Sequence, residues 1–268
     1  MWRILIVGVV NTMTVHVPEY IERLVGQIYE INKLSEQGCT SEVRKILAAS
    51  GTYLLKSSFD NRYREWLKME ALVLEKLSNQ HAIPVPRYYG FFEDDKSSHL
   101  IMSFEKGMTL TKALKNAKNR DEKLTLIRSF GQFLHQLHET ELPESLNREN
   151  DWLEEQLIRA EKYVRRGQTE GSQQLLEQLQ SNKPLPVRQT LIHGDCTTDN
   201  VLVVDGKVSL FIDVSGMAVG DPRYDESLAI GCFVNEPKCV EVFYQGYQRY
   251  RIKKEEYQYF NEGLYEFF

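Results

Sequence analysis

The segment from Leu191 to Val214, LIHGDCTTDNVLVVDGKVSLFIDV, restricts the possible folds more than any other part of the chain. Asp205-Gly206 lies between two runs of β-branched residues, and a dipeptide of this type in that position is the strongest short-range signal of a β-hairpin. His, Asp and Asn residues surround the predicted hairpin. Apolar strands rarely carry so many hydrogen-bond acceptors without a function, so these polar residues are candidate site residues.

The register of the hairpin predicts which polar residues meet. A two-residue loop pairs Val204 with Lys207. Continuing this register places Asn200 opposite Phe211. Asn200 then lies one step from Asp213, at one end of the hairpin. An amide oxygen beside a carboxylate, with few other ligands, suits Mg²⁺, which keeps water molecules and also binds phosphate oxygens.

Asp195 lies five residues before Asn200 in a predicted loop, where it is free to face the same point and to accept a proton. The alternative is that these Asp and Asn residues cap turns, as they commonly do. That explanation is adequate for any one of them. The combination across one predicted hairpin, however, favours a site; its members are His193, Asp195, Asn200 and Asp213.

Composition and the absence of other motifs exclude several function classes. The 268 residues include 33 Lys and Arg against 38 Asp and Glu, interspersed along the chain, so no basic stripe indicates a nucleic-acid partner. No GxSxG or Walker A sequence is present. The scattered cysteines favour free thiols in a reducing cytoplasm, with Cys196 as a packing residue. His135 and His138 lack a third metal ligand at useful spacing, which favours packing roles for both.

The N-terminal segment WRILIVGVV is apolar but much shorter than the roughly 20 residues of a membrane span. It also lacks the A-x-A-like site of a cleaved signal peptide. We therefore expect a cytoplasmic protein with no membrane partner. Residues 1–12 are either an accessory strand or an extension outside the fold.

The periodicity of the chain changes near Gly107. Before that point, residues 27–57 have the pattern of three strands connected by a loop and a tight turn. A helix is predicted over roughly residues 61–77, with Asp60 or Asn61 as its N-cap. Two further strands precede Gly107. This part of the chain is therefore predicted to be β-rich, with one main helix.

After Gly107 the pattern is mostly helical over residues 109–180; the hairpin follows, and the tail from Asp225 is again helical. We therefore predict an α+β protein with two lobes. The small β-rich N-terminal lobe covers residues 1–106, and the larger, mostly helical C-terminal lobe covers residues 107–268.

Three motifs together resemble those of the aminoglycoside phosphotransferase/choline kinase family. They are HGDxxxxN beginning at His193, ID ending at Asp213, and GDPxxD ending at Asp225. The resemblance implies a protein-kinase-like two-lobed fold, with ATP and Mg²⁺ as cofactors. It also implies phosphoryl transfer to a hydroxyl group of a small molecule, either an aminoglycoside-like antibiotic or a hydroxylated metabolite.

The resemblance also implies roles for individual residues. Asp195 would be the catalytic base, or the residue that orients the substrate hydroxyl, and His193 would brace its loop. Asn200 and Asp213 would hold Mg²⁺ under the ATP phosphates. Asp225 would anchor the backbone of the catalytic loop from the next helix.

Lys56 ends the predicted strand TYLLK, where a charged residue on an apolar strand needs a partner. Glu70 lies within the apolar stripe of the following helix. That stripe consists of Trp66, Val73, Leu74 and Leu77. Since an unpaired buried charge is costly, we predict a pair of Lys56 with Glu70, matching the family's strand Lys and helix Glu. Glu65 is the alternative partner if the helix is rotated, and a snorkelling Lys with a rim Glu is another explanation.

Two further segments take their roles from the resemblance. One occupies the position of the phosphate loop, where backbone N–H groups and hydroxyls would face phosphate; it consists of Gly38, Cys39, Thr40 and Ser41. The other, LIMSFEKG, is the expected joint between the lobes. In it, Ser103 and Phe104 would present backbone groups to adenine, with Met102 close to the base.

Two other functions are weighed against this one. A protein-kinase-like activity is disfavoured because Gly194 stands where protein kinases carry Arg, and because no APE-like segment follows Asp213. A nucleotide-binding protein without catalysis is disfavoured because the expected site residues are all present, namely Lys56, Asp195, Asn200 and Asp213. We expect a monomer or homodimer whose partner is a small hydroxyl acceptor.

Overall fold

A computed structural model describes residues 19–78, 83–142 and 151–268. Residues 1–12, for which the sequence leaves two interpretations open, lie outside these ranges. The helices are α1 (Glu19–Val25), α2 (Asn61–Leu77), α3 (Leu110–Asn116), α4 (Arg120–Glu139), α5 (Trp152–Arg166), α6 (Gln173–Ser181), α7 (Pro222–Ile230), α8 (Pro237–Gly246) and α9 (Lys254–Phe260). The strands are β1 (Ile28–Lys33), β2 (Glu42–Ala48), β3 (Gly51–Ser58), β4 (Tyr88–Glu93), β5 (Ser98–Ser103), β6 (Met108–Thr109), β7 (Thr190–Ile192), β8 (Val201–Val204), β9 (Lys207–Phe211) and β10 (Ala218–Gly220).

The N-terminal lobe is built on an antiparallel sheet with the strand order β1-β2-β3-β5-β4. Helix α2 begins at Asn61, as predicted, because the carboxylate of Asp60 caps it by accepting a hydrogen bond from the Arg62 N–H at 2.9 Å. The helix packs against β3, β4 and β5, and buries Leu74 and Leu77. The β-rich lobe with one main helix is therefore confirmed.

The C-terminal lobe is mostly helical, as predicted, and α4 runs through its core. Helix α4 packs along α8, where the rings of Phe130 and Phe243 lie 5.9 Å apart. It also lies against the β8–β9 hairpin, where Phe133 stacks on Phe211 at 4.2 Å. Burying each of these rings contributes roughly 1.5–3 kcal/mol relative to exposing it. The hairpin that carries the candidate site is thus fixed to the central helix.

The hairpin turn is correctly predicted, but its register is not. Asp205 and Gly206 both have positive φ, at 48° and 78°, as a two-residue hairpin turn with a right-handed twist requires. A bulge at Ser209 then shifts the pairing, so that Phe211 lies opposite Val201. The prediction that Asn200 lies opposite Phe211 is therefore wrong by one residue.

The one-residue shift places Asn200 opposite Ile212, the residue directly before Asp213. The backbone oxygen of Asn200 accepts a hydrogen bond from the N–H of Ile212, the residue before Asp213, at 2.9 Å. A bulge depends on tertiary packing around the strand, so turn chemistry alone does not reveal it.

Short strands that the sequence does not predict hold the segment between residues 193 and 200. Strand β7 ends at Ile192 and pairs with β10, and β6 adds to the hairpin by pairing with β8. The segment is therefore anchored by a strand at each end.

The two lobes also meet outside the hairpin. The indole N–H of Trp66 in α2 donates to the hydroxyl of Tyr163 in α5 at 3.1 Å. The guanidinium of Arg62 lies over both rings, 4.6 Å from Trp66 and 5.2 Å from Tyr163. Within the three described ranges, no helix has the length and apolarity needed to cross a membrane.

Candidate active site

Asp225 holds the loop that contains Asp195. It lies in the first turn of α7, is fully buried, and accepts hydrogen bonds from the backbone N–H of His193 at 2.6 Å and of Gly194 at 2.8 Å. His138 from α4 lies 3.2 Å from the same carboxylate and bonds the Tyr247 hydroxyl at 2.8 Å. Burial lowers the pKa of His138, which favours the neutral ring. The contacts of His138 are those of a packing residue.

His193 connects the loop to the hairpin. Its Nδ1 accepts a hydrogen bond from the Asp195 N–H at 3.2 Å, so the ring proton belongs on Nε2. Nε2 then donates to the backbone oxygen of Ile212 at 2.9 Å. One buried imidazole thereby fixes the positions of Asp195 and Asp213 relative to each other, since Ile212 directly precedes Asp213.

Gly194 has a conformation and surroundings that admit no side chain. Its φ is 81°, in the left-handed region that favours glycine. A Cβ at this position would lie 2.2 Å from the backbone oxygen of Gly216. The loop can approach the turn after Asp213 this closely only because residue 194 is glycine.

Asp195 accepts hydrogen bonds at both carboxylate oxygens. The side-chain amide of Asn200 donates to Oδ2 at 2.7 Å and to the Asp195 backbone oxygen at 2.9 Å. The hydroxyl of Tyr265 donates to Oδ1 at 3.1 Å. Burial raises the pKa of the Asp195 carboxyl above its ordinary value, and these two donors offset part of the rise. A carboxylate with raised proton affinity is suited to accept a proton from a substrate hydroxyl.

Asp213 has the opposite electrostatic environment. Its Oδ1 accepts a hydrogen bond from Lys56 Nζ at 3.0 Å, and the charge of Lys56 lowers the pKa of the Asp213 carboxyl. Its backbone is left-handed, with φ 57° and ψ 54°, as the chain turns from β9 into the 3-10 turn Val214–Gly216. The carboxylate therefore stays ionised, as a metal ligand must.

The donor set beside Asp213 fits Mg²⁺. In the part of the chain that the structure describes, Asn200 Oδ1 and Asp213 Oδ2 accept no hydrogen bond, while the other side-chain polar atoms of both residues are engaged. No group of three or more His, Cys, Asp or Glu side chains in the same residues could hold a metal ion. A site with one amide and one carboxylate is typical of Mg²⁺ that shares its coordination with phosphates and water.

Lys56 and Glu70 form the pair that the apolar stripe predicts. Lys56 Nζ donates to Glu70 Oε2 at 2.7 Å, and only 11% of the Lys56 side chain and 3% of the Glu70 side chain are exposed. Glu65, the alternative partner, is exposed, so the rotated helix is wrong. Burial acts to lower the pKa of Lys56, but Asp213 and Glu70 outweigh it and hold that pKa above its ordinary value. Lys56 is therefore a fixed cation that joins the two lobes.

The predicted phosphate loop lies between β1 and β2. Its residues line a groove of about 320 Å³ together with Phe59 and Tyr63. The Ser41 hydroxyl lies 2.5 Å from that of Ser58, which also donates to the Thr40 backbone oxygen at 3.1 Å. The structure thus places Gly38, Cys39, Thr40 and Ser41 around one groove, with the hydroxyl of Ser41 bonded internally.

The predicted adenine contacts are partly engaged within the protein. Met102 is buried in β5. The N–H of Ser103 donates to the Arg87 backbone oxygen at 2.9 Å, and the N–H of Phe104 lies 3.4 Å from the Thr52 backbone oxygen. The N–H of Glu105, which the sequence did not single out, has no hydrogen-bond acceptor among the described residues.

Tyr265 is the site residue that sequence reasoning missed. It lies 70 residues from Asp195 in a 3-10 turn, Leu264–Phe267, near the end of the chain. Its neighbours in sequence carry no motif, so only the packing of the C-terminal segment reveals the contact.

A sequence profile described as the phosphotransferase enzyme family (APH) matches residues 33–259. No curated protein matches the chain significantly.

Solved structures of phosphotransferases share the fold. An aminoglycoside 3'-phosphotransferase of type VIII superposes with a TM-score of 0.74 at 20% identity, covering 94% of this chain and 99% of that chain. The ternary complex of APH(2")-IIa with streptomycin and ATP gives 0.60 at 21% identity, with coverages of 90% and 86%. Macrolide 2'-phosphotransferase MphH from Brachybacterium faecium gives 0.55 at 16% identity, with coverages of 91% and 86%. Because the profile spans most of the chain, this protein belongs to the phosphotransferase enzyme family, and it shares the fold of these solved phosphotransferases.

Proposed function

We propose that this protein transfers the γ-phosphate of ATP, in the presence of Mg²⁺, to a hydroxyl group of an aminoglycoside-like antibiotic or a hydroxylated metabolite. The observation that carries the proposal is one continuous set of contacts across both lobes. Lys56 lies 3.0 Å from Asp213, the hairpin pairs Ile212 with Asn200, and Asn200 lies 2.7 Å from Asp195. These contacts gather a cation, a candidate metal-ligand pair and a candidate base at one place, which are the parts that phosphoryl transfer needs.

Each residue of this set has a distinct task in the proposed reaction. Lys56, held by Glu70, would neutralise charge on the nucleotide phosphates. Asn200 and Asp213 would hold Mg²⁺, which when bound draws charge from the phosphate oxygens. Asp195 would accept the proton of the acceptor hydroxyl as the bond from the acceptor oxygen to the γ-phosphorus forms. The bond from that phosphorus to the bridging oxygen breaks, and ADP leaves. Catalysis is then largely positioning and charge stabilisation.

The comparisons support a nucleotide as the phosphate donor. One structural neighbour was solved with streptomycin and ATP, another with ADP and spectinomycin, and a third with GDP and kanamycin. The predicted phosphate loop and the unpaired N–H of Glu105 lie on the same lobe as Lys56, where such a nucleotide would bind. The choice of ATP rather than GTP is part of the proposal.

The test is a screen of nucleotide consumption by the purified protein with Mg²⁺, using ATP and GTP in parallel. Amino alcohols, sugars, aminoglycosides and macrolides serve as acceptors, and mass spectrometry of the acceptor verifies the added phosphate. We expect turnover with ATP for at least one acceptor class, and none when Mg²⁺ is removed by chelation. Tight Mg·ATP binding without turnover on any acceptor would instead support a non-catalytic nucleotide-binding protein.

A further inference from the structure

Both oxygens of the Asp195 carboxylate are held by donors from within the protein. The side-chain amide of Asn200, from the same loop, donates a hydrogen bond to Oδ2. The Tyr265 hydroxyl, from the C-terminal segment, donates one to Oδ1 at 3.1 Å. An ionised carboxylate can only accept hydrogen bonds, so the phenol is the donor in this contact. The proposed role of Asp195 requires one of these oxygens to face the acceptor hydroxyl as well.

The backbone that carries Tyr265 is held by packing and hydrogen bonds on both sides. Leu264 and Phe267, its neighbours in the 3-10 turn, are fully buried. The backbone oxygen of Glu266 accepts hydrogen bonds from the Thr169 hydroxyl at 2.9 Å and from the Gly171 N–H at 3.1 Å. The backbone of this turn is therefore fixed beside Asp195, and the partly buried ring of Tyr265 packs edge-on against that of Tyr224, with ring centroids 6.4 Å apart.

Oδ1 can still accept a second hydrogen bond, from a substrate hydroxyl. A carboxylate oxygen has two acceptor positions, and Tyr265 occupies one of them. Without the phenol, Asn200 would hold the carboxylate through Oδ2 alone, and Oδ1 would be free to rotate about the Cβ–Cγ bond. Small losses of alignment at a reacting centre lower the rate strongly.

We propose that Tyr265 is a positioning residue for phosphoryl transfer, whose hydroxyl orients the Asp195 carboxylate so that Oδ1 faces the acceptor hydroxyl. The proposal rests on the proposed function of Asp195. It assigns to the C-terminal segment a direct part in the reaction, which neither the family profile nor the motifs of the catalytic loop include.

The experiment compares Tyr265→Phe with Tyr259→Phe and the wild type. Tyr259 supplies a matched control because its hydroxyl also donates one hydrogen bond, to the Leu179 backbone oxygen at 3.1 Å, without contacting Asp195. Rates are measured with an acceptor from the screen and with water as acceptor. Mg·ATP affinity and Tm are measured for each protein.

We expect Tyr265→Phe to lower kcat about tenfold, in line with the loss of one hydrogen bond to a charged group. Its KM for ATP should be unchanged. Tyr259→Phe should leave kcat as in the wild type.

The inference is overturned if the wild type turns over and Tyr265→Phe has the same kcat or a higher one. It is also overturned if Tyr265→Phe loses Mg·ATP affinity and Tm in proportion to its activity, because the residue is then merely structural. Absence of wild-type turnover with every acceptor and with water contradicts the proposed function itself, which distinguishes the two failures.

Discussion

Asp195 and Asp213 are two carboxylates of one small region with opposite electrostatic environments. Burial raises the pKa of Asp195, whereas the charge of Lys56 lowers that of Asp213. The partners explain the difference. Asp195 receives hydrogen bonds from the neutral side chains of Asn200 and Tyr265, while Asp213 receives one from a cation. Environments that separate the pKa values of paired acids assign different tasks to them.

The partners of the two carboxylates also come from different parts of the chain. The cation beside Asp213 lies 157 residues earlier, in the N-terminal lobe. Both donors to Asp195 belong to the C-terminal lobe. The state of Asp213 thus depends on the approach of the lobes, whereas the state of Asp195 is set within one lobe.

The largest expected effect is on kcat, and it distinguishes the role of Asp195 from that of Asp213. Asp195→Asn removes the proton acceptor but keeps the shape of the side chain, so kcat should fall by about 10²–10⁴-fold. Mg·ATP affinity, measured by calorimetry, should stay close to the wild type because Asp213 and Lys56 are intact. Asp199→Asn, an exposed residue of the same loop, is the matched control and should leave kcat unchanged. Equal and mild losses in both variants would contradict the assignment of Asp195.

A second prediction concerns Lys56, whose charge lowers the pKa of Asp213 and so makes it differ from Asp195. Lys56→Met leaves Glu70 buried without its partner, so the free energy of unfolding should fall by about 3–5 kcal/mol in chemical denaturation. Asp213 also loses its cation, so its pKa should rise toward that of Asp195. Lys68→Met is the control, since Lys68 pairs with Glu93 at 2.7 Å on the surface of the same lobe, and this variant should change stability little. A loss of stability as small as that of the control would mean that Glu70 is not held by Lys56.

The smallest expected effect is seen in the wild-type protein, where kcat and Mg·ATP affinity should fall at different pH values. Because the pKa of Asp195 is raised, kcat should fall on acidification at a pH above that expected for an ordinary Asp. Because the pKa of Asp213 is lowered, Mg·ATP affinity should persist to lower pH than kcat does. Measuring both kcat and the Kd for Mg·ATP over the same pH range tests this order. Loss of binding at the same pH as loss of turnover would refute the distinction between the two carboxylates.

Local sequence predicts the parts of this site that depend on local rules. The Asp205-Gly206 turn, the N-cap at Asp60 and the place of Glu70 on the buried face of α2 each follow from turn chemistry, capping or helical period. The structure shows all three.

The rest depends on contacts between distant segments. The bulge at Ser209 changes the hairpin register by one residue, and the Ser58 hydroxyl engages Ser41 from a neighbouring strand. Tyr265 reaches Asp195 through the packing of the C-terminal turn. Each of these requires the tertiary arrangement of the chain, which periodicity and motif spacing do not contain.

The close approach of Gly194 to Gly216 limits the mutational routes open to this enzyme. Protein kinases carry Arg at the position of Gly194, in a setting where a phosphorylated activation loop controls activity. Here any side chain would have to adopt a positive φ and displace the Gly216 carbonyl, 2.2 Å from its Cβ. A single substitution to Arg would therefore disrupt the site before it could sense a phosphate. Acquiring that form of control would therefore require the turn at Gly216 to be remodelled first.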